Sequence, residues 1–215
     1  MLRTTTGLGV ALLLSAGVAR AADVPASPAD YASKLAGLKP GDTLKLAPGD
    51  YKSGMNLFNV HGAAGAAIVI EGPPSGAPAR FLGVNGKNTI DIRDASFVTI
   101  RNLLLDGQNI DGVDAIKAGG QASNFAHHIT IEGCTITGHD GGQTNQQIVG
   151  ISTKIVAWDW VIRKNVFDGA GTKVSISGDG NGNRLTVGAW GRGALTVSGG
   201  ATLDASGTGA LVFTS

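Results

Sequence analysis

The residues with the most chemistry to offer are Lys117, Asp114 and His139. An amine, a carboxylate and an imidazole can divide general acid–base work when a fold brings all three within hydrogen-bond reach of one reacting atom. Lys117 is the strongest single candidate for a base, because it follows the strand residue Ile116 and faces the turn-forming run Ala118-Gly119-Gly120-Gln121-Ala122-Ser123-Asn124. Asp111, Asp140 and Lys154 are further charged residues at expected outward positions. None of these spacings is diagnostic, and an isolated lysine more often serves as a solvated or ion-paired surface group.

Arg101, Glu132 and Arg163 recur at the same point of a repeat and should stack as a ladder of alternating charge. Together with Lys154, the two arginines are the candidates for binding an anionic ligand; the competing reading is a set of exposed cross-strand ion pairs worth about 0.2–1 kcal/mol each. His127-His128 beside His139 suggests a metal, but adjacent strand residues point to opposite faces, so no metal site is expected. Asp106, Asp111 and Asp114 offer oxygen ligands for calcium, yet their spacing matches neither an EF-hand loop nor a nonapeptide calcium repeat, and they read first as turn formers. Trp158 and Trp160 should share a face by the period of two, with Trp160 inside, whereas Trp190 lies in a glycine-rich stretch and is freer to be exposed.

The elements that position these residues come from an internal repeat. Phe97-Val98-Thr99-Ile100-Arg101-Asn102-Leu103-Leu104-Leu105-Asp106-Gly107 recurs without gaps 31 residues later from His128 and again from Asp159. In each copy the apolar residues alternate, change phase across a bend, and stop at a glycine, which is the pattern of two short strands joined by a corner. Stacking the copies makes interior columns of Val98, Ile129 and Trp160, of Ile100, Ile131 and Ile162, and of Leu105, Ile136 and Phe167. The corner column is Leu103, Cys134 and Asn165, where the amide of Asn165 can bond backbone groups at the bend. Fully extended at about 3.3 Å per residue, such a coil would run to roughly 100 Å, so part of each must project as loops. The expected loops are residues 118–124 and 139–145, and the third strand of each coil is expected at Val113-Asp114-Ala115-Ile116 and Ile148-Val149-Gly150-Ile151.

Looser strand patterns at 67–72 and 89–92 extend the solenoid toward the N-terminus, and Tyr31, Leu35 and Leu38 carry a helical spacing suited to a short cap. After Thr172 the text becomes glycine-rich, with Leu185-Thr186-Val187, Leu195-Thr196-Val197 and Leu211-Val212-Phe213 as short strands outside the 31-residue register. The expected organisation is a leader over 1–21, a β-helix domain over 22–172 and a glycine-rich β tail over 173–215 that can continue the solenoid. The leader has a basic start at Arg3, a short apolar run and an A-x-A end, Ala19-Arg20-Ala21, which implies bacterial-type export to the periplasm or outside the cell and no transmembrane segment once it is removed. A net charge of +1 without a basic run argues against nucleic acid or an anionic membrane surface as partners. Cys134 is the only cysteine, so no intramolecular disulfide forms.

Pro40-Gly41-Asp42-Thr43-Leu44-Lys45-Leu46-Ala47-Pro48-Gly49-Asp50-Tyr51 resembles the entry segment of secreted right-handed β-helix proteins, and the three copies resemble the parallel β-helix repeats that follow it. The resemblance covers roughly residues 28–172 and is to pectate lyase-like and chondroitinase B-like polysaccharide lyases and to other β-helix repeat proteins; the tail resembles glycine-rich repeats of autotransporter passenger regions. It implies an all-β, right-handed single-stranded parallel β-helix with a short N-terminal capping helix. It further implies an exported protein that presents a lateral surface to carbohydrate, without an identifiable complete catalytic site. Two alternatives stand beside it: a polysaccharide lyase or glycoside hydrolase acting on an acidic polysaccharide, and a truncated or fused remnant of a longer β-helix protein or passenger. A lyase needs a base for the proton beside a uronate carboxylate and a cation to stabilise the enolate; a glycosidase needs two carboxylates across the sugar bond. No cofactor is expected, calcium being the ion such an elimination would use.

Overall fold

The computed structural model describes residues 21–119, 125–139, 147–151, 156–168, 173–177, 184–191, 194–198 and 202–204, with side chains placed for 21–119, 125–139 and 157–166. Lys154, Asp140, the side chain of Trp190 and residues 1–20 of the expected leader lie outside this set.

Alternating apolar residues on successive short strands can all be buried only if the chain winds so that each strand lies beside its counterpart one coil earlier. That is the arrangement found: a parallel β-helix of three sheets. The first sheet stacks Asp23–Ala26, Thr43–Leu46, Ile68–Glu71, then 98–101, 129–132 and 160–163, then Arg184–Gly191 and Thr202–Asp204. The second stacks Gly49–Tyr51, Ala79–Leu82, Leu103–Asp106, Thr135–Thr137 and 166–168. The third stacks Met55–His61, 90–92, Ile116–Ala118, Gln147–Ile151, Lys173–Ser177 and Ala194–Ser198.

The interior consists of columns. Leu44, Ile70, Ile100, Ile131 and Ile162 are in register and fully buried, as are Tyr51, Phe81, Leu105 and Ile136 on the second sheet and Met55, Ile90 and Ile116 on the third. Each such side chain contributes roughly 1.5–3 kcal/mol of burial. At the corner, Asn165 is wholly buried; its Oδ1 accepts from the Cys134 N–H and its Nδ2 donates to the Ile131 carbonyl, both at 2.9 Å. Burial pushes the Cys134 thiol up to about 12. The helix Tyr31–Leu35 buries both its terminal residues, and the Tyr31 ring sets its edge against Tyr51 and Phe81, which stack at 4.5 Å, while its hydroxyl donates to the Gly54 carbonyl.

The bends between sheets are made by residues in the left-handed region, repeated from coil to coil. Phe97, His128 and Asp159 have φ of 52°, 54° and 53°, and Asn102, Gly133 and Lys164 have 57°, 62° and 56°. These corners correct two expectations. The left-handed turn at Asp159 breaks the period of two, so Trp160 is buried while Trp158 stays partly exposed, and the two do not share a face. Turning His128 in the same way brings it alongside His127 instead of opposite to it. The third strand also lies later than expected: Ile116–Ala118 is the strand, Val113 and Ala115 are buried ahead of it, and Ala118 belongs to the core rather than to a loop.

Candidate functional site

On the third sheet the alternation sends Ile90, Ile92, Ile116 and Ala118 inward, leaving Asp91, Arg93 and Lys117 on the outer face. Register then aligns Asn56, Asp91 and Lys117 in one column and Phe58 and Arg93 in the next, with rungs about 4.8 Å apart. Gly150 follows Lys117 in the first column and adds no side chain above it. The Lys117 Nζ lies 3.3 Å from Asp114 Oδ2, with the lysine side chain 27% exposed. Asp114 is held there because the Thr89 N–H bonds its carbonyl at 2.9 Å. Arg93 forks onto Asp91 at 2.7 and 3.2 Å, and its guanidinium sits 4.9 Å above the ring of Phe58, itself 40% exposed. The face therefore offers two cations, two carboxylates and an aromatic edge along the helix axis.

His139 does not join this group at the surface. Gly138, at φ 66°, reverses the alternation after Thr137 and turns His139 inward, where it is 1% exposed and its Nδ1 bonds the Val113 carbonyl at 3.0 Å. It packs so closely on Gly107 that a Cβ there would lie 2.5 Å from Nδ1. The outward placement expected for His139 is thus corrected: it fixes the segment that leads into Asp114 from inside the coil.

Arg101 and Arg163 stand in the predicted ladder, which reaches two rungs further than the clean repeat. Lys45, Glu71, Arg101, Glu132 and Arg163 are in register, Lys45 and Arg101 both bonding Glu71 and Arg163 bonding Glu132 at 2.6–2.7 Å. Burial raises the Glu71 carboxyl, but the hydrogen bonds from Lys45 and Arg101 outweigh it and hold the group below its usual range. Asp106 is spent similarly: burial opposes its charge, and Arg80, 2.5 Å away, with the Gln108 N–H lowers it. Asp111 is exposed. Among the described residues no group of three or more His, Cys, Asp or Glu is placed to hold a metal ion.

A second cluster escaped the sequence reading. His61, Ser96, His127 and Trp158 form one outward column beside the Phe97, His128, Asp159 corner. His127 stacks on Trp158 at 4.1 Å, Phe97 on His128 at 4.3 Å, and the two histidine Nδ1 atoms are 2.7 Å apart, so one donates and the other accepts. Burial, reinforced by His128, keeps the pKa of His127 below its ordinary value. The 31-residue step from Ser96 to His127 and Trp158 was a readable signal for the column; the left-handed His128 that completes the cluster shares its corner position with Phe97 and Asp159.

No family model and no curated protein matches the sequence. Among solved structures, the fold is similar to a mannuronic acid specific polysaccharide family 6 lyase from human gut microbiota, with a TM-score of 0.53 and 16% identity over 85% of this chain and 51% of that one. It is also similar to the PL6 family alginate lyase AlyGC, with a TM-score of 0.52 and 18% identity over 76% of this chain and 23% of that one. The chain spans about half the length of the first and a quarter of the second. At these identities the likeness is one of fold alone, the parallel β-helix described above.

Proposed function

We propose that this is an exported β-helix protein that engages a uronate-containing polysaccharide along the outer face of its third sheet, with Lys117 and Arg93 meeting the sugar carboxylates. The observation that carries the reading is the Lys117–Asp114 pair on a regular rung, with Arg93 one rung below and glycine in register above. An ammonium partly sheltered from water attracts a carboxylate more strongly than a fully solvated one does. A polymer lying along the helix axis would meet successive rungs. The acidic-polysaccharide chemistry of the two structural neighbours supports this choice of ligand class.

Those neighbours also favour a second reading, β-elimination. There the Lys117 nitrogen in its neutral form would take the proton beside the uronate carboxylate, the bond to the departing sugar oxygen would break as the double bond forms, and that oxygen would take a proton from the Lys117 ammonium so formed or from water. Incubating the exported chain with alginate, pectate and chondroitin, and following both binding and the absorbance of unsaturated ends, separates the readings. Binding without new absorbance is the result expected of a carbohydrate-binding protein; absorbance that Lys117→Ala abolishes establishes the lyase; the absence of both refutes the two together.

A further inference from the structure

The first coil holds a buried carboxylate with no side-chain cation beside it. Asp42 is 8% exposed, and both its oxygens are taken by backbone donors, Oδ1 by the Ala22 N–H at 2.9 Å and Oδ2 by the Lys39 N–H at 2.8 Å. Its own main chain is fixed as well: its N–H bonds the Lys39 carbonyl at 3.0 Å and its carbonyl accepts from the Val69 N–H at 2.9 Å. Among the described residues the ion pairs go to Asp23, Asp30, Asp50, Glu71, Asp91, Asp94, Asp106, Asp114, Glu132 and Asp159, and not to Asp42. Two backbone donors satisfy its oxygens, and a cation placed on one of them would strengthen that bond further.

Ala22 is where that cation would arise. It lies at the entrance to the first strand, exposed like Ala21 before it, and its carbonyl accepts from the Thr43 N–H at 2.8 Å, which holds its nitrogen on Asp42. The Ala19-Arg20-Ala21 end of the leader falls at the bond between Ala21 and Ala22.

We propose that cleavage of the Ala21–Ala22 bond by a leader peptidase creates the partner of Asp42. Hydrolysis consumes one water, leaves a carboxylate on Ala21 and turns the Ala22 amide nitrogen into an α-ammonium. A neutral amide donor becomes a charge-assisted one at the same atom, so removal of the leader locks the first coil. This rests on the leader reading and is independent of the polysaccharide reading, which concerns another face.

The test is to export the full chain, read the N-terminus of the product by mass spectrometry, and compare its melting with that of the same chain carrying two extra residues before Ala22. The product should begin at Ala22 and melt about 3–6 °C above the extended chain, a difference that Asp42→Asn largely removes. A product beginning elsewhere, equal melting, or a difference that survives Asp42→Asn overturns the proposal. Should Asp42→Asn fail to fold, acetylation of the Ala22 amine replaces it: loss of the increment supports the lock, and unchanged melting overturns it.

Discussion

At the scale of single residues, what a side chain does here depends on which way its corner turns it. Asn165 is the polar member of an otherwise apolar column, and it stays inside because its amide satisfies two backbone groups of the coil below. Replacing it with leucine keeps the number and branching of the side-chain heavy atoms and orphans both, so Asn165→Leu should cost about 2–4 kcal/mol in urea unfolding; a loss below about 0.5 kcal/mol would contradict the assigned bonds. The role of Asn165 was legible because its column neighbours are Leu103 and Cys134. His139 was not, since nothing in the local pattern announced that Gly138 would reverse the alternation and take an imidazole into the core.

At the scale of the strand and corner, the columns of the first sheet follow from apolar alternation repeated at a constant step, which is why Ile100, Ile131 and Ile162 could be aligned without coordinates. Lys45 and Glu71 escaped the same reading because the steps from Lys45 to Glu71 and from Glu71 to Arg101 are 26 and 30 residues, loops of other lengths intervening. The corners were only partly legible: Gly133, Asn102, Asp159 and His128 are of types that tolerate positive φ, while Phe97 and Lys164 are held there by the register of the coils around them. Exposed Lys164, one coil above Gly133, is the clean test. Lys164→Gly should stabilise the chain by about 0.5–1 kcal/mol, visible as a higher melting temperature; destabilisation would mean the corner is set differently.

At the scale of the whole molecule, a solenoid built from short strands binds its coils through continuous interior columns and, outside, through carboxylates shared between rungs. Glu71 and Asp106 are held below their usual range, so the stability they contribute is present at neutral pH, above the unfolded value of about 4, and is lost as pH falls through their lowered folded values. Urea unfolding as a function of pH should show that decline, and Glu71→Gln should make it shallower; an unchanged slope would contradict the pairing with Lys45 and Arg101. The same architecture leaves the outer face of the third sheet as a regular strip on which Asp91, Arg93, Asp114 and Lys117 gather. Whether this strip receives an acidic polysaccharide is answered by calorimetric titration of uronate oligosaccharides into the native chain and into Lys117→Ala. The native chain should bind, and the variant should bind at least about tenfold, or about 1.4 kcal/mol, more weakly; equal affinity in both, or no binding by a folded native chain, would overturn the assignment.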